Sequence, residues 1–416
     1  MTSLVPFSEL LSLIVDNRGK TCPVDQNGIP LIATNCVKNA TLFPVFEKVR
    51  YVSDETYATW FRGHPKPGDL IFVTKGAPGQ VCLAPDPVNF CIAQDMVAVR
   101  ANDELVYPLY LFAALRSESV QNEITNMHVG TLIPHFKKGD FDKLKIPVPS
   151  RKSQVFIGDL YFDLSRKIEL ARQTNETLEA IARAIFKDWF VDFGPTRAKA
   201  EGRTPYLTPE LWKLFPDVLD DEDKPLGWTH GFLGEYVEIF DSKRIPLSSR
   251  ERHSRQGDIP YHGATGVMDH VDDYLFDGVH VLLGEDGSVI KEDGTPFTQY
   301  VWGRFWVNNH AHVLQGKGIS NELLLCFLKQ ANITPFVSGA VQLKLNQKNL
   351  KRIPFLFSGP DTSAAFDDIV TPLFQAIRSN LEESRILAKT RDILLPKLIS
   401  GEIHLAEASQ AVEAIA

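Results

Sequence analysis

The sequence predicts a mixed α/β (α+β) fold that is built twice, with two α/β domains separated by two long antiparallel coiled-coil helices and related by a pseudo-two-fold axis. The first observation is length, because 416 residues exceed what one ordinary hydrophobic core accommodates. The second is a repeated pattern, since two segments place mostly apolar residues at alternating steps of four and three, as a coiled-coil seam does. Each position of the second seam lies 209 residues after its counterpart, Phe366 against Ile157 for example. We interpret this shared register as an internal duplication.

The two seams are mostly apolar, with a few polar exceptions. The first seam comprises Ile157, Tyr161, Leu164, Ile168, Ala171, Asn175, Leu178, Ala182, Ile185 and Trp189. The second comprises Phe366, Val370, Leu373, Ile377, Asn380, Ser384, Leu387, Arg391, Leu394 and Leu398. Two interpretations of Asn175, Asn380, Ser384 and Arg391 stay open. They lie on a solvated flank of the stripe, or they are buried and fix register and antiparallel orientation.

The parts of the chain that precede the two helices also resemble each other. The stretches "PGDLIFVTKGAPGQV" (67–81) and "DGVHVLLGEDGSVI" (277–290) each predict an apolar strand followed by a G-x-x-G turn. Short helix-like stretches follow at 107–119 and 320–330. Just before the long helices, "HVGTLIPHFKKGDFDKLKIPVP" matches "FVSGAVQLKLNQKNLKRIPFL". Strands that alternate with Gly/Pro turns and one short helix predict a mixed α/β domain in each half.

These patterns also predict the order of the domains. A segment rich in turn formers and charge connects the two halves. We predict a first domain at 1–150, a first helix at 151–193, a linker at 194–228, a second domain at 229–358, a second helix at 359–403 and a C-terminal tail at 404–416.

The second helix ends in "ILLPKLISGEI" (393–403), which contains residues that break or cap helices. The missing amide of Pro396 should bend or weaken the helix near its end. Lys397 suits the negative end of the helix dipole, and Gly401 can adopt a left-handed cap. The stretch therefore predicts a defined helix end.

Composition restricts the setting and the partners of the chain. The formal net charge of −8 weakly disfavours nucleic acid as a partner, but basic residues gather at 243–255 and 341–352. The five cysteines form no C-x-x-C pair, and no apolar run is long enough to span a membrane. The N-terminus lacks the basic start of a signal peptide. These features predict a cytoplasmic protein.

Two helix-ending motifs resemble those of a known family. "IARAIFKDWFVDFGPTRAKAEG" (181–202) and "TRDILLPKLISGEI" (390–403), together with the doubled layout, are similar to the specificity subunit of type I restriction-modification enzymes. The resemblance covers nearly the whole chain, although the globular halves match only in outline. It implies two target recognition domains, each reading one half of a bipartite, asymmetric sequence in double-stranded DNA. It also implies that the helices dock methyltransferase subunits, two in number, and that restriction/translocase subunits join the same assembly.

The residues themselves offer no catalytic site. No P-loop or G-x-G-x-x-G fingerprint is present, so nucleotide binding lacks its usual signature. Asp217, Glu222 and Lys224 resemble a nuclease pattern but crowd into one acidic run, which favours a solvated linker. His310 and His312 alternate as strand residues do, and with no third ligand near in sequence a packed strand is favoured over a metal site. The resemblance implies that S-adenosylmethionine, ATP and Mg²⁺ belong to partner subunits.

Loops that reach the major groove are the candidates for DNA contact, since polar side chains read base edges while Lys and Arg contact phosphates. The first half offers Arg18, Lys20, Lys75, Gln80, Thr131, His135, Lys137 and Lys138. The second half offers Lys243, Arg244, Asp286, Ser288, Gln342, Lys344, Gln347 and Lys348. The candidate seam and partner-docking residues are Ile157, Leu164, Ile168, Leu178, Ile185, Trp189, Phe366, Leu373, Ile377, Leu387, Leu394 and Leu398. For each DNA candidate taken singly, a solvated surface role is the alternative.

Two other functions stay open at this point. The chain is a specificity subunit of another restriction class with the same layout, or a coiled-coil adaptor whose globular ends bind proteins. Salt-dependent DNA binding separates the adaptor from the other two. The acidic overall charge further predicts that the isolated chain binds DNA weakly.

Overall fold

The structure, a computed structural model, describes residues 2–17, 21–92, 94–127, 134–339 and 342–413. Contacts within the chain divide it into two compact units. The first unit contains residues 1–174 and 379–416, and the second contains residues 175–378. Each of the two long helices contributes one part to each unit.

In its described residues, the first unit joins nine short strands to helices. The strands are β1 (Ser3–Pro6), β2 (Leu11–Val15), β3 (Ile29–Ile32), β4 (Arg50–Val52), β5 (Leu70–Val73), β6 (Val81–Leu83), β7 (Cys91–Ile92), β8 (Met96–Ala101) and β9 (Lys145–Val148). The helices are α1 (Asp54–Thr59), α2 (Pro108–Arg116), α3 (Glu118–Met127) and the 40-residue α4 (Arg151–Phe190), which continues into the second unit.

The second unit repeats this plan. Its strands are β10 (Thr229–Phe232), β11 (Val237–Ile239), β12 (Gln256–His262), β13 (Val267–Val271), β14 (His280–Gly284), β15 (Thr298–Val301), β16 (Trp306–Val307), β17 (Ala311–Gly316) and β18 (Pro354–Phe357). Its helices are α5 (Gly194–Ala200), α6 (Pro209–Trp212), α7 (Ser249–Ser254), α8 (Asn321–Leu328), α9 (Gln347–Lys351) and the 41-residue α10 (Pro360–Ser400). The last 22 residues of α10 and the following α11 (Leu405–Glu413) belong to the first unit.

The strand order confirms the predicted duplication. A four-stranded sheet has the order β2-β8-β5-β6 in the first unit and β11-β17-β14-β15 in the second. The three-stranded sheets are β4-β3-β7 and β13-β12-β16, each with one parallel pair. An outer pair, β1-β9 or β10-β18, precedes the long helix of each half. The mixed α/β fold that the sequence predicts is therefore present twice.

Apolar runs explain why the central strands lie inside. All four residues of β5 and all five of β14 are buried, as expected for strands with neighbours on both faces. In the first unit, Phe7, Phe72, Phe136 and Phe141 pack into one aromatic cluster, with the Phe7 and Phe141 ring centroids 4.8 Å apart. The turns that follow β5 and β14, which contain candidate residues, therefore begin at buried strands.

Within the second unit, α4 and α10 run antiparallel. Asn175 of α4 donates a hydrogen bond from Nδ2 to the Ile377 carbonyl at 3.4 Å. Further along α4, the Trp189 ring lies 6.2 Å from the ring of Phe366, which is earlier in α10. Because the residue numbers of α4 increase along these contacts while those of α10 decrease, the two helix segments point in opposite directions. The predicted antiparallel pairing is confirmed in this unit.

Within the first unit, the other parts of the two helices pack around a polar seam position. The Arg391 guanidinium lies over the Tyr161 ring, 5.1 Å from its centroid, and donates from Nη1 to the Ser165 hydroxyl at 3.2 Å. Arg391 and Asn175 are 9% and 8% exposed, so burial is the correct interpretation for these two seam residues. Asn380 and Ser384 are half-buried.

The end of α10 shows which residue stops the helix. The helix runs through Pro396 to Ser400, and Gly401 follows with φ of 78°. The Glu402 amide donates to the Lys397 carbonyl at 2.9 Å, and the Gly401 amide donates to the Leu398 carbonyl at 3.3 Å. These two bonds form a Schellman cap, so the predicted left-handed role of Gly401 is confirmed.

No helix among the described residues is both long and apolar enough to cross a membrane.

Candidate functional site

In the second unit, the turn after β14 lies against the segment that precedes α10. Asp286 and Lys344 form an isolated antiparallel bridge. The Gly287 amide donates to the Leu343 carbonyl at 3.0 Å, and Gly287 has φ of 78°, a conformation that favours glycine. Two of the predicted candidate regions, far apart in sequence, are thereby joined.

A charge network with a buried centre lies beside this bridge. It consists of Asp241, Arg244, Glu285, His312 and Gln347, and we call it the Asp241 network. His312 contacts Asp241 Oδ2 through Nδ1 at 2.6 Å and the Leu345 carbonyl through Nε2 at 2.7 Å. Both contacts are with oxygen atoms, so the His312 ring is held at both of its nitrogens. Arg244 Nη1 donates to Glu285 Oε2 at 2.7 Å, and Gln347 Nε2 donates to Asp241 Oδ2 at 2.7 Å.

The network keeps Asp241 ionised although its side chain is only 4% exposed. Burial alone would raise the pKa of this carboxyl group. Hydrogen bonds from His312 and the Val313 amide, with the charge of Arg244, outweigh burial and lower the pKa below its ordinary value. The network therefore forms a fixed, charged floor under the loops.

The same residues bear on the metal alternative that the sequence left for His312. Asp241 and Glu285 supply, from distant segments, the additional metal-type ligands that are missing near His312 in the sequence, and the three ligand atoms lie within 4.8 Å of one another. The Arg244 guanidinium already contacts both carboxylates, at 2.7 Å from Glu285 and 3.5 Å from Asp241. The Arg244 guanidinium thus pairs with both acids, and the His312 ring contacts them at 2.6 and 3.6 Å.

The candidate residues of the second unit surround this floor. Gln342 Nε2 donates to Asp286 Oδ1 at 2.8 Å, and Lys344 Nζ lies 3.9 Å from Glu285 Oε1. Gln342, Lys344 and Gln347 are exposed, so their side chains remain accessible while they contact the acids. The remaining candidates Lys243, Ser288 and Lys348 are also exposed. The structure thus brings Arg244, Asp286, Gln342, Lys344 and Gln347 together.

The first unit has an equivalent junction. Lys75 and His135 form an isolated antiparallel bridge, and the Gly76 amide donates to the Pro134 carbonyl at 2.9 Å. Lys75 Nζ lies 3.8 Å from Asp95 Oδ1. The turn after β5 thus meets the segment before α4 as the turn after β14 meets the segment before α10.

An acid under the junction is also common to both units. Lys138 Nζ lies 3.8 Å from Asp16 Oδ2, and a shift of 209 residues places Lys138 at the position of Gln347, which contacts Asp241. Asp16 and Asp241 each follow the first strand of the four-stranded sheet. Neither acid was among the candidate residues predicted from the sequence. That shared position was the available signal.

The other first-half candidates differ in placement. Lys137 is exposed, whereas Gln80 Oε1 accepts a hydrogen bond from the Asn39 amide at 2.7 Å and so contributes to the packing of its own domain. Arg18, Lys20 and Thr131 lie outside the described residues.

The structure adds a basic groove that was not predicted from the sequence. It measures about 500 Å³, and its polar lining comprises Asp16, Arg62, His64, Lys66, Arg100 and Lys138. Asp69 neutralises Arg100 through two bonds of 2.8 and 2.9 Å. Among the described residues, no ion pair involves Arg62 or Lys66. The alternation Arg62, His64, Lys66 in "FRGHPK" was a local signal for this groove.

The basic stretch at 243–255 is largely neutralised within its own domain. Arg252 Nε donates to Asp269 at 3.0 Å, and Arg255 Nε donates to Asp272 at 2.9 Å. The glycines between β12 and β13 form a hairpin turn closed by a hydrogen bond from the Gly263 amide to the Gly266 carbonyl. This stretch therefore carries less free positive charge than its composition indicates.

The nuclease-like triplet is part of ordinary ion pairs. Lys224 Nζ lies 2.6 Å from Glu222, and Asp217 pairs with Lys199 at 3.1 Å. Asp217 and Glu222 are 85% and 66% exposed, which fits the solvated linker that the sequence favours.

Comparisons with known proteins agree with the doubled architecture. Residues 25–180 and 225–357, more than half of the chain, match the family described as "Type I restriction modification DNA specificity domain". The MjaIX specificity subunit of Methanocaldococcus jannaschii is 25% identical over 362 residues, covering 82% of this chain and 79% of the relative. The HindI specificity subunit of Haemophilus influenzae is 25% identical over 410 residues, covering 81% and 87%. A crystal structure of the S subunit of a type I restriction-modification system from M. genitalium has a similar fold, with a TM-score of 0.51, 18% identity and coverage of 90% and 93%.

Proposed function

Because the chain belongs to the type I restriction modification DNA specificity family, we propose that it is the non-catalytic subunit that selects the DNA target of such a complex in the cytoplasm. Each α/β domain reads one part of a bipartite, asymmetric sequence in double-stranded DNA. Two methyltransferase subunits dock on α4 and α10, and restriction/translocase subunits join through them. S-adenosylmethionine, ATP and Mg²⁺ act in those partners.

One observation carries this proposal: the same junction occurs in both units. In each, a glycine turn after the central strand bridges to the segment before the long helix, Lys75 to His135 and Asp286 to Lys344. Repeated scaffolds with different side chains at equivalent positions suit a protein that reads two different short sequences. Lys75 and Lys344 are suited to phosphate contact, while His135, Gln342 and Gln347 are suited to base edges.

Partner docking requires a surface that the seam does not provide. All twelve candidate seam residues are buried or half-buried by contacts of this chain itself. The long helices instead expose other apolar side chains, among them Leu170 and Ile181 on α4 and Ile386 and Ile393 on α10, each between 42% and 62% exposed. Ile386 and Ile393 are seven residues apart and share a helix face. We assign methyltransferase docking to these exposed residues, with the seam holding the helices in place.

The test is co-expression of the full chain with the methyltransferase encoded beside it, followed by single-molecule sequencing of host DNA for modified adenines. We expect one split motif, two short defined parts around a fixed gap. Exchanging only residues 1–150 for those of a relative should change one part and leave the other unchanged. A stable complex that modifies no DNA would contradict the proposal and favour a protein adaptor.

The salt dependence of DNA binding gives an independent test. The assembled complex should lose affinity steeply as salt rises, because phosphate contacts release counterions. The isolated chain, with its net charge of −8, should bind DNA weakly. Binding that does not depend on salt would contradict the role proposed for the lysines.

A further inference from the structure

The first unit contains an open pocket beside its two helix segments. The pocket measures about 540 Å³. Its lining includes Asn39 from the α/β domain, Arg116 and Ser117 from the end of α2, Glu118 at the start of α3, and Ala388, Arg391 and Asp392 from α10. The two acids, Glu118 and Asp392, are exposed. None of these residues belongs to the junction described above. The pocket is therefore separate from the proposed DNA-reading loops of its own unit.

Two arginines are the buried charges of this pocket. Arg116 and Arg391 are each 9% exposed. Arg391 pairs with Asp392, a 62% exposed acid, at 2.9 Å. Arg116 donates from Nε and Nη2 to backbone carbonyls, including that of Val81, and no described carboxylate pairs with it.

The guanidinium of Arg116 is incompletely satisfied. Its Nη1 atom is buried and has no hydrogen-bond partner among the described residues. Burial lowers the pKa of Arg116, the Tyr161 hydroxyl opposes this effect, and the charge of Arg391 lowers the pKa further. A buried cation with a free donor and a second cation nearby is costly unless an anion approaches.

The second unit shows what occupies the equivalent place in the duplicate. Arg116 ends α2, and Lys329 follows α8, the corresponding helix. Lys329 Nζ pairs with Glu179 Oε2 on α4 at 2.7 Å. A shift of 209 residues places Ala388 at the position of Glu179. The second unit thus supplies its own carboxylate, whereas the first unit has an alanine methyl group that lines the pocket.

We propose that the pocket formed by Arg116, Ala388 and Arg391 binds a carboxylate supplied by an acidic side chain of a protein partner docked on the helices. The identity of the partner in this inference rests on the proposed function, whereas the binding of a carboxylate by the pocket does not. Because Nε and Nη2 of Arg116 already donate to backbone carbonyls, Nη1 is the donor left for the carboxylate of an entering Asp or Glu side chain. A hydrogen bond between a guanidinium and a carboxylate is charge-assisted and stronger than one between neutral groups. The methyltransferase subunit is the partner that this position fits.

The test replaces the missing acid within the chain. Ala388→Glu restores the Glu of the second unit and should occupy the pocket from within, while Ala388→Gln matches its size without charge. In the full-length chain, Ala388→Glu should melt at a higher temperature than Ala388→Gln, because the new carboxylate pairs with buried arginines. In the complex, Ala388→Glu should weaken methyltransferase binding about tenfold relative to Ala388→Gln, as expected for one lost charge-assisted contact.

A small-molecule probe tests the chemistry without the partner. Sodium glutarate at a fixed ionic strength should raise the melting temperature of the wild-type chain more than that of Ala388→Glu. Equal methyltransferase affinity of Ala388→Glu and Ala388→Gln, or equal glutarate shifts in wild type and Ala388→Glu, would overturn the proposal. A change confined to the salt dependence of DNA binding would also overturn it, since phosphate would then be the ligand. If the wild-type complex leaves adenines unmodified, the proposed function fails while the glutarate result still decides the pocket.

Discussion

Replacing Asp241 by asparagine isolates the charge of the network under the second-unit loops. The carboxylate accepts hydrogen bonds from the Val313 amide at 3.0 Å, from His312 at 2.6 Å and from Gln347 at 2.7 Å. An asparagine amide can still accept from Val313, but its NH₂ group would face the donors of His312 and Gln347. Removal of one partner from a buried ion pair costs about 3–5 kcal/mol. Because Glu285 stays 3.6 Å from His312, we expect the lower end, about 3 kcal/mol.

The assay is urea unfolding of the full chain, followed by circular dichroism between pH 3 and pH 8. The folded pKa of Asp241 is lower than its ordinary value of 3.8, so its contribution is present above that value and is lost as pH falls through the folded pKa. The gap between wild type and Asp241→Asn should therefore be constant from about pH 5 to pH 8 and shrink below about pH 3.8. Asp272→Asn is the matched control, because Asp272 pairs with Arg255 but is 51% exposed, and it should cost less than about 1 kcal/mol. A loss below 1 kcal/mol for Asp241→Asn, or a gap that widens in acid, would refute the reasoning.

Three further outcomes test the helices and the loops. Phe366→Ala should lower the free energy of unfolding in urea by about 4 kcal/mol, because the Phe366 ring is fully buried against three aromatic neighbours. The Ile386 side chain is 48% exposed, so Ile386→Ala should change the free energy of unfolding by no more than about 0.5 kcal/mol. The same variant should nevertheless weaken methyltransferase binding. Gly401→Ala should cost about 1 kcal/mol in the same assay, since alanine is strained at a φ of 78°; no loss would show that the cap is dispensable. Lys344→Gln should reduce the salt slope of DNA binding by the complex by about 0.9, the value for one phosphate contact. Lys213→Gln removes the same charge from an exposed linker position, and an equal effect on the slope would argue against a specific contact of Lys344.

The sequence alone predicted the features that depend on local periodicity. Each seam was recognisable because the side chains on one face of a helix recur every three or four residues. The constant offset of 209 residues between the two seams then showed that they match. The glycine at 401 was recognisable as a cap because only its own backbone conformation decides the matter. The strand and turn alternation predicted the α/β class for the same reason.

Only the tertiary structure decided which distant side chains meet. Asp241, Glu285 and His312 come together because β11, β17 and β14 are neighbours in one sheet, an order that no local pattern encodes. The sequence likewise cannot tell that Pro396 stays inside α10, since packing of the surrounding helix offsets the lost amide. The Arg116 pocket is visible only when the end of α2 and a turn of α10 are placed side by side. Helix periodicity, turns and caps depend on neighbouring residues, whereas burial and charge balance depend on segments that are far apart in the sequence.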